Sequence, residues 1–242
     1  MLLTGKTAIV HGGSGAVGAA VARAFAREGA AVHLTGRTVP PLEEVARRIR
    51  GDGGIAHVAR LDATDRAAVD RHAEAVAAAG DGTGIDICFN ATSDDDLQGS
   101  PLLDLAVADV LRPVTKAVTT TLTTATAAAR HMIDRGGGVL LVLAGGRETI
   151  PGLGGSHIAW SALTGVCRQL AAELGPHGVR VAWLLSPGSP APGAENRADE
   201  GALLTERPGY DDVANAAVFA ASDWARTMTA TELNLTGGLV PD

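Results

Sequence analysis

The sequence predicts a single α/β domain over residues 1–242, with a doubly wound, mostly parallel sheet of seven strands and helices on both faces. Three observations favour this fold class. Short, continuous apolar segments alternate with amphipathic segments along the whole chain, as in parallel sheets that are covered on both faces. The length of 242 residues suits one domain. Hydrophobic residues make up 46% of the chain and aromatic residues only 3%, so we expect a core of Ala, Val and Leu.

The predicted elements follow one another regularly from the N-terminus. Strands are expected at residues 7–10, 31–35, 55–61, 85–89, 139–143, 179–185 and 232–235. Helices are expected at residues 19–25, 42–50, 65–79, 109–133, 158–174 and 210–222. Pro40 and Pro41 open the second helix and Gly51 closes it, while Asp62 and Thr64 are available near the start of the third. Right-handed crossovers between such strands place ligands at the carboxyl ends of the strands.

Charge and cysteine content exclude several classes of function. The chain has 27 acidic and 20 basic residues, a net charge of −7, which argues against a general nucleic-acid or acidic-membrane surface. No apolar run reaches the roughly 18 residues of a membrane helix, and the first strand begins too early for a signal peptide. Cys88 and Cys167 lie far apart in apolar segments without metal-ligand spacing. We therefore expect reduced core thiols in a cytoplasmic protein, with no metal site.

A glycine loop between the first strand and the first helix is the most specific motif. Gly13, Gly15 and Gly18 fit the pattern G-x-G-x-x-G, with the required strand before the loop and helix after it. Gly13 is expected to permit a tight turn, Gly15 to let the backbone approach a pyrophosphate, and Gly18 to let the helix pack close to the strand. Free N–H groups at the helix N-terminus would face the phosphates. The loop predicts a dinucleotide site; a tight turn without a ligand is the alternative.

Further motifs, in the right order over essentially the whole length, resemble those of the short-chain dehydrogenase/reductase family. Glycines 12, 15 and 18 resemble the loop of its longer members, and Asp62-Ala63 resembles the pair that holds adenine. The resemblance extends to Asn90-Ala91 after the fourth strand, to Pro187-Gly188 after the sixth, and to the ending at 234–238. It implies nicotinamide-dependent oxidoreduction. The cofactor-binding residues it implies are Gly12, Ser14, Gly15, Val17, Gly18, Arg37, Asp62, Ala63, Asn90, Ala91, Pro187 and Gly188.

The end of the second strand predicts which nicotinamide cofactor is used. An acidic residue there would bind the ribose 2′-hydroxyl and repel a 2′-phosphate. This chain has Gly36-Arg37 instead, a pair common in relatives that use NADP. Arg37 can form charge-assisted bonds to a phosphate, so NADP(H) is favoured over NAD(H). A solvated surface arginine is the alternative interpretation.

The proton relay of the family, which consists of Asn, Ser, Tyr and Lys, is missing from this sequence. The only tyrosine is Tyr210 and the only lysines are Lys6 and Lys116, so no Tyr-x-x-x-Lys is present. Alignment of the helix after strand five places Ser156 at the tyrosine position and Trp160 at the lysine position. Residues 143–146 contain no serine and residues 116–119 no asparagine, at the places where the family has them.

Several residues near these positions are candidates for a replacement. Ser156 and His157 are the catalytic candidates, and the imidazole of His157 can exchange protons at neutral pH. The alternatives are that Ser156 is a helix N-cap and that His157 is a half-exposed residue at the helix start. We expect Trp160 to fill the space of the lysine. His11 is expected to pack within the loop. The acidic run at residues 94–96 follows strand four and supplies either a general base, a cation site or a solvated loop.

Three functions fit this sequence. The favoured one is an NADP(H)-dependent oxidoreductase that acts on a small organic substrate, under a lid at residues 186–208, through a non-standard proton-transfer site. A non-redox enzyme on the same scaffold (a cyclase, isomerase or lyase) and a non-catalytic protein that senses NADP(H) are the alternatives. The small apolar faces of residues 109–133 and 158–174, together with the family resemblance, predict a homotetramer or homodimer.

Overall fold

The structure, a computed structural model, describes residues 1–79, 84–92, 95–147, 150–186 and 201–239. Its parallel sheet has seven strands in the order β3-β2-β1-β4-β5-β6-β7. The strands are β1 (Thr7–His11), β2 (Ala31–Gly36), β3 (Ile55–Arg60), β4 (Ile87–Asn90), β5 (Gly138–Leu143), β6 (Val179–Leu185) and β7 (Thr231–Asn234). The helices are α1 (Ala16–Arg27), α2 (Val39–Gly51), α3 (Arg66–Ala78), α4 (Val107–Asp134), α5 (Ser156–Leu174) and α6 (Tyr210–Ala221). The predicted fold class is therefore confirmed.

The boundaries of some helices differ from the prediction for local reasons. Helix α2 begins at Val39, because prolines are accepted in the first turn, where their missing N–H is not needed. The N-cap of α3 is Asp65, whose side chain accepts a hydrogen bond from the amide of Ala68. Helix α5 is capped by Gly155, so Ser156 is its first residue and the expected N-cap role of Ser156 is wrong.

Two apolar layers enclose the sheet. The first contains buried residues of α1, α2 and α6, and the second those of α3, α4 and α5. Trp183, which is 1% exposed, is the largest side chain of the second layer. Cys88 and Cys167 are buried, free thiols in that layer, as predicted. The strand order reverses between β1 and β4, which opens a crevice at their carboxyl ends where ligands of this fold class bind.

No described helix is both long and apolar enough to cross a membrane. Among the residues that the structure describes, no group of three or more His, Cys, Asp or Glu side chains could hold a metal ion.

A row of histidines lies on the face of the sheet that α3 covers. His33 on β2 stacks on His57 of β3, with ring centroids 4.7 Å apart, and meets His72 of α3 edge-on at 6.3 Å. His11, on β1, lies two residues beyond Ile9, the register partner of His33, and is 2% exposed. Burial, with a smaller contribution from His72, lowers the pKa of His11 from 6.5 to about 3. Burial and the two neighbouring imidazoles lower the pKa of His33 to about 4.

We expect acid to destabilise the fold through this row. Below pH 6.5 these histidines bind protons in the unfolded chain, whereas in the folded chain His33 stays neutral down to about pH 4 and His11 down to about pH 3. The free energy of unfolding therefore decreases as the pH falls through this range. The melting temperature should decrease by more than about 5 °C between neutral pH and pH 4. His33→Gln should flatten this dependence, whereas His177→Gln, on the exposed turn after α5, should leave it unchanged. An unaltered slope in His33→Gln would contradict this account.

Candidate active site

The glycine loop after β1 is closed by contacts that exclude side chains. Gly12 adopts a left-handed conformation (φ +76°), and a Cβ there would lie 2.3 Å from the carbonyl oxygen of Ala91. A Cβ on Gly18 would lie 2.2 Å from the carbonyl oxygen of Gly12. The close packing expected of Gly18 is therefore confirmed. The tight turn, which was predicted at Gly13, lies instead at Gly12; Gly13 fits under Leu34, whose Cδ2 a Cβ would approach to 2.7 Å.

Gly15 differs from the other glycines of the loop because its α-carbon faces open space. It caps α1, with φ −70°, and a Cβ would come no nearer than 3.4 Å to another atom. The N–H groups of the first turn of α1 have no partners within the helix, as at every helix start. Val17 directs its side chain toward the core, so only its backbone is available to a ligand. The loop and these N–H groups form a cradle in which an anion can bind, and the lack of a side chain at Gly15 keeps the cradle open.

A cavity of about 350 Å³ lies above this cradle, at the carboxyl ends of β1 to β4. It joins residues that are far apart in sequence and that the sequence analysis had selected: Gly12, Ser14, Gly15, Arg37, Asp62, Ala63 and Ala91. Thr92, Lys116 and Thr120 also line it and were not predicted. In the sequence, Lys116 stands out as one of two lysines and as the first residue of the segment (116–119) where the family's asparagine is expected, but not as a cofactor ligand. Its position at the cavity follows from the packing of α4 over β4.

The cavity combines one carboxylate with two cationic side chains. The amide and hydroxyl of Thr64 donate to Oδ1 of Asp62, at 2.9 and 2.7 Å. These two bonds, followed by the charges of Arg37 and Lys116, lower the pKa of Asp62. Lys116 is 19% exposed, and its Nζ lies 3.9 Å from Oδ2 of Asp95. The cavity thus favours an anionic ligand at its Arg37 side.

His11 and Asn90 hold the strand ends below the cavity. Nδ1 of His11 and Oγ1 of Thr35 are 2.8 Å apart in a buried hydrogen bond. The side chain of Asn90 donates to Oγ1 of Thr121 at 3.0 Å and accepts from the amide of Thr92 at 3.0 Å. The packing role expected of His11 is confirmed. The side chain of Asn90 is engaged within the protein, so Asn90 shapes the cavity and does not line it.

The second end of the site, at β5 and β6, contains an indole beside a left-handed glycine. Gly145 is left-handed (φ +72°), and a Cβ there would lie 2.2 Å from Cε2 of Trp160. Trp160 therefore occupies the space beside Gly145, as the sequence analysis expected of a filling residue. The amide of Ser186 donates to the carbonyl of Gly145 at 2.8 Å, while the buried Ser186 hydroxyl has no protein partner among the described residues. A buried hydroxyl without a partner costs about 1–3 kcal/mol, which a ligand group can recover.

Two predicted cofactor residues, Pro187 and Gly188, lie outside the residues that the structure describes, as does most of the expected lid at 186–208.

The catalytic candidates lie together at the start of α5. Ser156 is 0% exposed, and its hydroxyl donates to Oδ2 of Asp96. Nε2 of Gln98 donates to the same carboxylate oxygen at 2.6 Å and lies 3.4 Å from Oγ of Ser156. His157 is half-buried, and its Nδ1 has no partner in the described part of the chain. The structure thus adds Asp96 and Gln98 to the site; the acidic run at 94–96 was the sequence signal for the first.

The sheet order and the glycine cavity at its switch point define a Rossmann-type α/β domain. A family model described as "Enoyl-(Acyl carrier protein) reductase" matches residues 13–240. D-threitol dehydrogenase of Mycolicibacterium smegmatis is 32% identical over 248 residues, covering 98% of this chain and 93% of that protein. L-rhamnose 1-dehydrogenase (NAD(P)(+)) of Azotobacter vinelandii is 32% identical over 260 residues, covering 99% of this chain and 98% of that protein.

Solved structures agree with these sequence matches. A short chain dehydrogenase from Burkholderia cenocepacia in complex with NADP has a TM-score of 0.85 and 29% identity, with 100% of both chains covered. The chain belongs to the short-chain dehydrogenase/reductase family and is an oxidoreductase of that type.

Proposed function

We propose that this protein is an NADP(H)-dependent oxidoreductase that acts on a small organic substrate through a non-standard proton-transfer site. The observation that carries the proposal is the cavity in which the Gly12–Gly15 cradle, Arg37 and Lys116 meet. The open space at Gly15 fits a pyrophosphate. The two cationic side chains, Arg37 and Lys116, outnumber the one carboxylate of Asp62, and this excess of positive charge fits the additional phosphate of NADP(H). When bound, the nicotinamide group supplies or accepts a hydride.

The preference for NADP(H) is supported by charge. Arg37 follows β2 at the position where an acidic residue would select a free ribose 2′-hydroxyl. Arg37 lines the cavity together with Thr38 and Asp62, and the charges of Arg37 and of Lys116 on α4 both act on the Asp62 carboxylate. A guanidinium recognises phosphate oxygens through paired N–H donors. The named cofactors of the relatives include both NADP and NAD(P)(+), so the preference depends on these residues of the chain.

The proton-transfer part of the proposal depends on the start of α5. Ser156 stands at the tyrosine position of the family and bonds to Asp96, while Trp160 stands at the lysine position and fills the space beside Gly145. A carboxylate and a hydroxyl can exchange a proton with a substrate hydroxyl or carbonyl, as general acid–base catalysis requires. His157 adds an imidazole one residue further on.

The experiment has two parts. Calorimetry should show binding of NADPH at least about tenfold tighter than NADH, as one charge-assisted hydrogen bond would give. NADP⁺ with D-threitol and with L-rhamnose, which the relatives' names suggest as probes, should give NADPH absorbance. Equal binding of NADH and NADPH overturns the cofactor choice. NADPH binding without turnover, in a wider panel of alcohols and carbonyls, overturns the oxidoreductase.

One observation favours a second function, cofactor binding without turnover. The ring of Trp160 occupies the space beside Gly145, where the family has its serine and lysine. If the protein only binds the cofactor, Trp160 should act as a structural residue. Trp160→Ala should then lower the melting temperature by roughly 10 °C without changing NADPH affinity. If the proposed oxidoreductase is correct, the same change should also reduce turnover, since the indole forms the wall of the nicotinamide end.

We further propose that the protein is a homo-oligomer. Helices α4 and α5 pack on each other, and Leu111, Leu122 and Ile158 on them are 50%, 40% and 43% exposed. Small residues surround these side chains along α4, which suits close packing of helices from a second copy. Gel filtration with light scattering should give at least a dimer, and a monomer would contradict the proposal.

A further inference from the structure

Two loops at the carboxyl edge of the sheet are clamped together. The amide of Gly99 donates to the carbonyl of Gly152 at 2.7 Å, and Ser100 forms a parallel bridge to Leu153. A Cβ on Gly154 would lie 2.2 Å from the carbonyl oxygen of Leu97. The segment after β4 (residues 95–100) is therefore held directly on the segment before α5 (residues 150–155), with no room for a side chain between the two backbones.

This clamp places a carboxylate over the start of α5. Oδ2 of Asp96 accepts hydrogen bonds from the Ser156 hydroxyl and from Gln98, whereas its Oδ1 accepts none from any residue that the structure describes. Asp96 is half-buried, while Ser156 is 0% exposed. One carboxylate oxygen is thus fixed by the protein, and the other is free to meet a substrate.

The segment that carries this carboxylate also contacts a residue of the cofactor cavity. Lys116, which lines that cavity, has its Nζ 3.9 Å from Oδ2 of Asp95, the residue before Asp96. Arg112, one turn earlier on α4, donates to the backbone carbonyl of Asp95 at 3.1 Å. Helix α4 therefore holds this segment through Asp95, and the start of α5 holds it through the bond between Ser156 and Asp96.

We infer that Asp96 is the proton-exchanging group of the site and that Ser156 is the positioning residue that aims it. This inference rests on the proposed function and assigns the group that replaces the family's tyrosine. In the oxidation of an alcohol, the O–H bond of the substrate would break and its proton would pass to Oδ1 of Asp96, while a bound oxidised nicotinamide dinucleotide would accept the hydride released as the C–H bond breaks. Reduction of a carbonyl reverses both transfers.

The neighbouring candidates are less suited to this role. The Ser156 hydroxyl is buried and already donates its proton to Asp96, so no second acceptor can reach it. Asp95 is left-handed (φ 63°), and its carboxylate faces Lys116. The Nδ1 atom of His157 is enclosed by protein. Asp96 is the acidic residue of this clamp that accepts a hydrogen bond from α5 on one carboxylate oxygen and has no described partner on the other.

The test compares Asp96→Asn, Ser156→Ala and Ser156→Thr with Asp104→Asn, which alters an exposed carboxylate on the turn before α4. We expect Asp96→Asn to lower kcat for NADP⁺-dependent oxidation of the D-threitol and L-rhamnose panel by about 100-fold or more, with KM, NADPH affinity and melting temperature near those of the parent. Ser156→Ala should lower kcat by roughly tenfold, the value of one lost hydrogen bond, and Ser156→Thr should restore it. Asp104→Asn should match the parent.

Hydrogen exchange supplies a readout that does not depend on turnover. The Gly99 amide, which bonds to Gly152, should exchange faster in Ser156→Ala and at the parent rate in Ser156→Thr. A parent rate in Ser156→Ala overturns the positioning role. A kcat of Asp96→Asn equal to that of the parent overturns the assignment of Asp96 but not the proposed function, because the enzyme would still turn over its substrate. A parent chain that binds NADPH but turns over no substrate overturns the proposed function first, and the proton transfer with it.

Discussion

A Gly18→Ala variant should be strongly destabilised, with a melting temperature roughly 10 °C below that of the parent. Its new methyl group would lie 2.2 Å from the carbonyl oxygen of Gly12, and both atoms belong to backbone that cannot move without opening the loop. Overpacking of this kind costs about 3 kcal/mol. Thermal unfolding followed by circular dichroism measures the change.

Two matched glycine variants separate stability from binding. Gly15→Ala places its methyl group no nearer than 3.4 Å to any atom, in ordinary helical-cap geometry, so the fold should survive. The methyl group would nevertheless point into the cradle, and NADPH affinity should decrease by about tenfold or more. Gly165→Ala, on α5 with nothing within 4 Å, should stabilise the chain by up to about 1 kcal/mol. A stable, binding-competent Gly18→Ala would contradict this account of the loop.

The second large effect concerns cofactor choice. We expect Arg37→Ala to weaken NADPH binding by about 10- to 100-fold, which corresponds to a lost charge-assisted pair with a phosphate. Binding of NADH, which has no 2′-phosphate, should change by less than about twofold. Calorimetry with both cofactors gives the two affinities directly.

Lys116→Met and Arg23→Ala test how specific this effect is. Lys116 lines the same cavity, so its loss should weaken NADPH binding by a smaller factor and raise the pKa of Asp62 toward its usual value. Arg23 is exposed on α1, outside the cavity, and its loss should leave both affinities unchanged. If Arg37→Ala weakens the binding of NADPH and of NADH equally, the arginine contributes general positive charge and does not recognise a 2′-phosphate.

Local patterns were sufficient to predict the fold. Apolar runs such as Val179–Leu185 are long enough, and flanked clearly enough by turns, to define their own boundaries. The glycine loop was also predictable, because the contacts that exclude a Cβ depend on neighbours close in sequence or on the adjacent strand. The position of the tight turn, at Gly12 and not at Gly13, shows the limit of that reasoning. The carbonyl of Ala91 that excludes a side chain from Gly12 lies just after β4, far away in the sequence.

The rest of the site depends on contacts between distant segments. Lys116 reaches the cavity because α4 packs over β4, and nothing in its own neighbourhood indicates a ligand. Ser156 is a catalytic candidate whose alternative interpretation is an N-cap, as serines at helix starts often are. Gly155 takes the N-cap position, and the serine bonds to Asp96, sixty residues earlier. The structure describes the surroundings of His157 but does not test its function, so its catalytic assignment stays a prediction.

The packing of Trp160 against Gly145 has a consequence for how substitutions at these two positions combine. A side chain at position 145 would overlap the indole at position 160 in the present geometry, because even a methyl group at 145 would lie 2.2 Å from Cε2 of the ring. The two positions are therefore expected to be epistatic. Gly145→Ser alone should be more harmful than Gly145→Ser combined with Trp160→Lys, a reversal of sign that a double-mutant cycle of melting temperatures would detect.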